Sequence, residues 1–468
     1  MHPDIPAGSL LLDEEHFPDE AFRQFLLRSF SDRIVKISEE GSESPVCYLD
    51  EEDVGTVEFL SCVGCSIANL QGIASFFHLK ILDCSSNSLT QLDLSGNPNL
   101  STLYCSNNNL EELDLRGNDD LRVLNCSHNK LTQLDLSESS GLCTLHCSHN
   151  CLDEEGLDLS CHRHLRVLNC SDNAFVELDL SSNDALSKLY CARNQLGCLT
   201  IRSSNLRSLD CSQNQLDEHL VVDSEVLHEL NCSKNQLEQL DVSRCTELRT
   251  LDCSENQLSF LDVSCNDSLR TLDCSLNQLT SLNVSCNPEL STLACSENQL
   301  TSLSIGFAPK LNVRDCPDNP LTPLDVRQCP VLRELDCYDN RLEQLNLRLC
   351  NLLKHLDCNN NRLQELHLND NNLEFLDCSD NQLNQLDLSN CRALQHLACS
   401  GNQLTHLDAA PCSALRTMTC NSNSLEQLDV SGCTALESLS LTHNRLTALD
   451  VSQNPSLDFL SVDDNPLT

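Results

Sequence analysis

Leu79-Lys80-Ile81-Leu82-Asp83-Cys84-Ser85-Ser86-Asn87-Ser88-Leu89-Thr90-Gln91-Leu92-Asp93-Leu94-Ser95-Gly96-Asn97-Pro98-Asn99 is the stretch that decides the architecture. Its pattern, L-x-x-L-x-C-x-x-N-x-L-x-x-L-x-[LV]-S-x-[NC]-x-x, comes back along the rest of the chain. The cysteine recurs at Cys105, Cys126, Cys147, Cys170, Cys191, Cys211, Cys232, Cys253, Cys274, Cys295, Cys316, Cys337, Cys358, Cys378, Cys399 and Cys420, nearly always 21 residues on, and Leu441 and Val462 fill its slot in two further units. Residues 79–468 thus hold nineteen units. Ordinary statistics would give 468 residues several separate cores, but a short fixed period means copies of one unit, each burying its apolar face against the next.

The first eleven positions match the leucine-rich-repeat signature with Cys in the third apolar slot. The alternation Leu82, Asp83, Cys84 is a half-buried strand, with Leu and Cys inward and Asp outward. The expected fold is therefore an α/β repeat solenoid, a leucine-rich-repeat horseshoe with a long parallel concave β-sheet. The slot of Asn87 is Asn in every unit through Asn465, which suits an amide that satisfies backbone groups where the chain leaves the strand. Asp93, Asp114, Asp135, Asp241, Asp262, Asp387, Asp429 and Asp450 recur in the outer segment with turn spacing rather than catalytic spacing. Three coils of unusual length, between Cys147 and Cys170 and ending at Cys211 and Cys378, are expected to deform only that outer segment.

The formal net charge of -41 arises from 70 acidic against 29 basic residues without one acidic tail. A surface of that sign does not displace counterions from nucleic acid or settle on anionic lipid, and no stretch is long and apolar enough to span a bilayer. Met1-His2-Pro3-Asp4 has neither a basic nor an apolar leader character, which suits a cytoplasmic protein or a processed mature chain. The sequence holds no P-loop, no G-x-G-x-x-G after a strand, no G-x-S-x-G and no H-E-x-x-H, so neither an enzyme nor a cofactor is expected.

Residues 1–59 lack the repeat and are acidic. One amphipathic run, Phe17 to Leu27, has Pro18 and acids at its start and Phe22, Phe25 and Leu26 on one face, so it reads as a helical N-terminal cap; residues 60–78 form a degenerate transition unit. At Thr468 the array is expected to continue, or else its open end pairs with another molecule; otherwise a monomer is expected. The repeat and the entry Phe17-Pro18-Asp19-x-x-Phe22-Arg23 resemble bacterial leucine-rich-repeat proteins of the internalin group, particularly the internalin J-like type with a cysteine ladder. The resemblance covers most of the chain. It implies a secreted or surface adhesin that binds host or neighbouring-cell molecules, although no immunoglobulin-like domain or sorting motif follows the repeats. The alternative is an intracellular effector or inhibitor that wraps a basic protein.

Binding is expected on the strand face. Asp83, Asp210, Asp252, Asp273, Asp315, Asp336, Asp357 and Asp377 point outward from the strands, and Asp318, Asp339 and Asp380 follow the cysteines. From Asp315 to Asp380 they form two carboxylate columns beside Tyr338, suited to a basic protein partner unless Arg249, Arg270, Arg333 and Lys354 balance them. No calcium loop is present. Nearer the N-terminus the face offers Tyr104, His128, His146, His149, Lys188, Tyr190 and Arg193, the aromatic and adaptable polar groups of hot spots. His128, His149 and Asp172 occupy one column, but equal spacing along a line is poor zinc geometry, and no metal site is assigned. The ladder cysteines are expected as buried free thiols, because in-register strands hold their Cβ atoms about 4.8 Å apart, too far for a relaxed disulfide. Cys245, Cys329, Cys350, Cys391, Cys412 and Cys433 share the Asn97 slot. A bridge or metal is more at home among Cys47, Cys62, Cys65, Cys143, Cys151 and Cys161. Arg314 stands where Leu is expected, so either the strand slips and Val313 turns inward or an acid reaches the guanidinium.

Overall fold

A computed structural model of the chain describes residues 5–6, 8–37, 45–217, 220–368 and 372–468. They belong to two compact units, residues 1–224 and 225–468. The division falls inside the repeat array, where no change of pattern marks it.

The first unit opens on the cap. Its helix, Glu20–Ser29, starts at Asp19, whose carboxylate accepts a hydrogen bond from the Phe22 N–H at 2.9 Å, satisfying one of the free donors of the first turn. The second oxygen of Asp19 accepts from the N–H groups of Ala68 and Asn69 at 2.8 and 3.0 Å, which ties the helix start to the first coil. Phe22 and Leu26 are buried, Phe22 meets Phe17 edge-on at 5.5 Å, and Phe30 stacks on Phe76 at 6.0 Å. A three-stranded antiparallel sheet of Leu10–Leu11, Val46–Leu49 and Val35–Ile37, and a five-residue helix, Glu51–Gly55, complete the cap.

The parallel sheet begins at Phe59–Ser61, paired with Ile81–Asp83, and Cys62 donates its N–H to the Asp83 carbonyl at 2.8 Å. Cys62 is thus the first rung of the cysteine column rather than a member of the irregular group in which its position before the repeats had placed it. From there the strands Thr102–Tyr104, Val123–Asn125, Thr144–His146, Val167–Asn169, Lys188–Tyr190 and Ser208–Asp210 pair in register. The second unit repeats the arrangement from Glu229–Asn231 to Phe459–Ser461. In nearly all of these strands the middle Leu is buried and its two neighbours stand half-exposed on the open face. The three coils of unusual length leave the register intact, with Thr144 opposite Val167, Lys188 opposite Ser208 and His355 opposite Phe375.

Each ladder asparagine serves two coils. Asn277 Nδ2 donates to the carbonyls of Cys253 in the preceding coil and of Cys274 and Ser275 in its own, at 3.0 to 3.1 Å, and its Oδ1 accepts from the Leu258 N–H at 2.9 Å. The Asn97 slot needs only a donor: Asn266 Nδ2 donates to Val242 and Cys245 carbonyls, and where Cys replaces Asn the thiol of Cys433 donates to the Ala409 carbonyl at 3.0 Å. In the outer segment Asp93, Asp262 and Asp429 each accept from the N–H two residues on, closing a turn. Short parallel pairs such as Pro323–Asp325 with Gln344–Asn346 follow there, a second set of strands that the turn pattern had concealed.

The residue between the Ser and the Asn of the C-S-x-N segment is left-handed. Positive φ values of 49° to 59° hold at Ser86, Asn107, His128, His149, Asp172, Arg193, Gln213, Lys234, Glu255, Leu276, Glu297, Asp318, Asp339, Asn360, Asp380, Ser422, His443 and Asp464, with Gly401 at 64°. Asn, Asp and His tolerate this conformation better than other side chains, so part of what occupies this column is dictated by the backbone. No helix among the described residues is long and apolar enough to cross a membrane.

Candidate binding face

Each coil offers the open face three outward positions: the first strand residue, the third, and the left-handed residue beyond the cysteine. In the first unit the third-residue row reads Asp83, Tyr104, Asn125, His146, Asn169, Tyr190, Asp210, each opposite the next. Tyr104, His146 and Tyr190 are half-buried. Beside them the left-handed row joins into a chain: the His128 and His149 rings stack at 4.0 Å, His149 Nε2 lies 3.4 Å from Asp172 Oδ2, and Arg193 Nη1 meets the same oxygen at 3.4 Å. Burial and the neighbouring imidazole hold His128 below the ordinary histidine pKa, and burial alone does so for His146. The stacked rings expose edges rather than converging lone pairs, and no cluster of three metal ligands occurs among the described residues.

In the second unit Asp315, Asp336, Asp357 and Asp377 stand on adjacent strands, each opposite the next. All four are half-buried. Asp318 and Asp380 are exposed on the left-handed row, and Asp339 between them bonds Asn360. Burial, then the charges of Asp336, Asp273 and Asp318, push the Asp315 carboxyl up to about 6. Asp318, Asp336 and Asp357 are raised chiefly by burial too. His355 Nε2 lies 3.0 Å from Asp336 Oδ1 and opposes that rise. Tyr338 occupies the usual Ser slot, and its phenol is raised by burial and by Asp318, Asp315, Asp336 and Asp357. Lys354, a candidate balancing charge, turns instead to Glu374 at 2.6 Å. An aromatic run escaped sequence reading: in the first-residue row, His355 stacks on Phe375 at 4.3 Å and Phe375 meets His396 at 6.4 Å. Its signal, three consecutive planar side chains in one repeat position, was present in the sequence.

Arg314 departs from both alternatives drawn from the sequence. It pairs with Leu293 on one side and Leu335 on the other, is 0% exposed, and leaves Val313 on the face. Ladder bonds on both sides fix the register, since a one-residue slip would drive Asp315 into the core. No acid bonds it: Nε, Nη1 and Nη2 have no hydrogen-bond partner among the described residues.

No family model and no curated protein matches the sequence. Solved structures do match. The functional domain of InlJ from Listeria monocytogenes, described as including a cysteine ladder, is 27% identical over 94% of this chain and 84% of its own, with a TM-score of 0.54. YopM from Yersinia enterocolitica is 26% identical over 88% of both chains with a TM-score of 0.69. YopM from Yersinia pestis, described as a leucine-rich effector protein, is 27% identical over 66% of this chain and 84% of its own, with a TM-score of 0.55.

Proposed function

We propose that this chain, a leucine-rich-repeat solenoid with repeats of the bacterial internalin type, is a protein-binding scaffold whose acidic strip engages a basic segment of a protein partner. The observation that carries this reading is the set of four half-buried carboxylates, Asp315, Asp336, Asp357 and Asp377, on adjacent strands of one face. Like charges about 4.8 Å apart repel, and burial strengthens the repulsion, so the strip is poised to gain when cationic side chains settle on it. The Phe375 ring between His355 and His396 supplies an apolar and π surface against which an Arg or Lys stem packs. Tyr104, His146 and Tyr190 of the first unit form a second, nearly uncharged patch suited to anchoring contacts. Likeness to InlJ supports a secreted or surface adhesin as the setting.

One observation favours the second setting, an intracellular effector or inhibitor. Cys151, Cys161, Cys198, Cys265 and Cys286 are exposed free thiols, which persist best in a reducing compartment. Fractionation of the producing cell separates the two settings.

The strip is tested with a Lys/Arg-rich peptide and a neutral peptide of equal length as probes. Association of the basic probe should be fast and fall steeply with salt, and Asp336→Lys with Asp357→Lys should slow it about tenfold or more at low ionic strength with the fold unchanged. An unchanged association rate in that double variant would make the strip a solubility feature.

A further inference from the structure

On the open face of the first unit the first strand residue of successive coils reads Phe59, Ile81, Thr102, Val123, Thr144, Val167, each opposite the next. Phe59 is 60% exposed and the others are half-buried, so this row is an apolar, largely β-branched stripe lying open on the face. Lys188, opposite Val167 on the next strand, ends it. The position just before the strand adds a cation on either side of Lys188: the Arg166 carbonyl accepts from the Lys188 N–H at 3.0 Å, and the Arg207 N–H donates to the Ser187 carbonyl at 2.8 Å. All three side chains are exposed, and none of them meets an acid in an ion pair among the described residues. Asp210, the carboxylate of the neighbouring strand, is occupied by the Ser212 N–H and hydroxyl at 3.1 and 2.7 Å. Three other bases in the position of Arg166 turn to a Glu one coil away, Lys80 to Glu58, Lys354 to Glu374 and Arg416 to Glu437, and the strands that follow Arg249 and Arg270 carry Asp252 and Asp273.

We propose that this stripe and its cationic end seat an extended segment of a protein partner that is apolar along most of its length and carboxylate-rich at one end. The inference rests on the reading of the strand face as the binding face and assigns the first unit a ligand opposite in charge to that of the acidic strip. Five strand spacings of about 4.8 Å separate Phe59 from Val167, roughly 24 Å, which an extended chain covers in about seven residues. Covering the stripe removes apolar surface from water, and the acids that follow then lie over Arg166, Lys188 and Arg207, cations on successive coils whose mutual repulsion they relieve. The net charge of -41 does not forbid this. At physiological ionic strength charges beyond about 8 Å are largely screened, so the local cations decide what the end of the stripe accepts.

The probe is a fluorescent peptide of about ten residues, alternating Val and Ser and closing on three Glu, read by anisotropy at physiological ionic strength. It should bind the intact chain at least about tenfold more tightly than a counterpart closing on three Lys and than one with Ser in place of every Val. Arg166→Glu with Arg207→Glu, two exposed changes, should weaken it about tenfold or more, and Lys188→Gln by a smaller factor. Cys143, a half-buried free thiol between Arg122 and Arg166 in sequence position along the same rim, reports contact: the bound probe should slow its alkylation and leave that of the exposed Cys286 in an outer turn unchanged. Asp336→Lys with Asp357→Lys should not lower the affinity, which keeps this test separate from that of the acidic strip. Equal affinity for the Glu and Lys peptides, binding that survives Arg166→Glu with Arg207→Glu, or unprotected Cys143 would overturn the proposal. So would a dimer in sedimentation that Phe59→Ser disperses, since a second copy of the chain would then be the occupant.

Discussion

The open faces of the two units are built from the same strand and the same cysteine, yet they carry opposite chemistry. In residues 1–224 the third-residue row alternates aromatic, imidazole and amide groups between Asp83 and Asp210, and in the left-handed row beside it Asp172 is met by both His149 and Arg193. In residues 225–468 the same row carries Asp at six strands, four of them consecutive, and the nearest lysine is occupied elsewhere. Since the inward Leu, Cys and Asn positions scarcely change, packing did not require this difference. Identical scaffolding beneath different faces supports the proposal that a partner is read on the strand face.

Tyr104→Ala and Tyr190→Ala should each weaken a partner that uses the first unit by about 1–2 kcal/mol, because a half-buried ring offers a large contact at little entropy cost. Titration calorimetry reads the loss, and the salt dependence should stay as it was. Asp429→Ala, in an outer turn, should leave affinity within error; an equal loss there would move the binding site off the strand face.

A smaller effect is expected from pH, with opposite signs in the two units. His128 and His146 have folded pKa values below the ordinary one, so their neutral forms fit the fold, and the stability this gives at neutral pH is lost as pH falls below about 6.5. Asp315 has a raised folded value of about 6, so the folded chain favours its protonated form and stability rises as pH falls from about 6 towards 4. Hydrogen exchange at pH 7 and pH 5, corrected for intrinsic rates, should show residues 123–149 loosening and residues 313–338 tightening on acidification. The same protonation should weaken a cationic probe on the strip. Loosening of both segments alike would remove the proposed difference between the faces.

Much of this was legible because a repeat reports itself many times over. The inward Leu and Cys, the Asn ladder and the Asp turns could be assigned from spacing alone, since each residue type has one place in a coil where its chemistry is satisfied. The division at 224/225 was not legible, because it lies between units of the same pattern. The left-handed column was hidden because Leu276, Lys234 and Glu297 stand in it alongside the expected Asn and Asp, each at a cost of roughly 1 kcal/mol that the two flanking coils impose. That column also tempers the sequence reading of Asp318, Asp339, Asp380, His128 and His149: the backbone favours these residue types whether or not a partner touches them. In the strand row Asp357 and Asp377 also serve the backbone, accepting from the N–H groups of Asn359 and Ser379 two residues on, whereas Asp315, two residues before Pro317, has no such N–H to accept from. Arg314 was visible as an anomaly, but sequence offered only a slip or an acid, and the guanidinium is instead buried in register with no hydrogen-bond partner among the described residues.

Carboxyl labelling with a carbodiimide and a small amine, read by mass spectrometry on the intact chain with and without the Lys/Arg-rich peptide, tests the central claim most directly. The peptide should protect Asp315, Asp336, Asp357 and Asp377, with partial protection at Asp318 and Asp380, while labelling of Asp93, Asp262, Asp387 and Asp429 in the outer turns stays unchanged. Protection concentrated on the outer turns, or spread evenly over both sets, would contradict it.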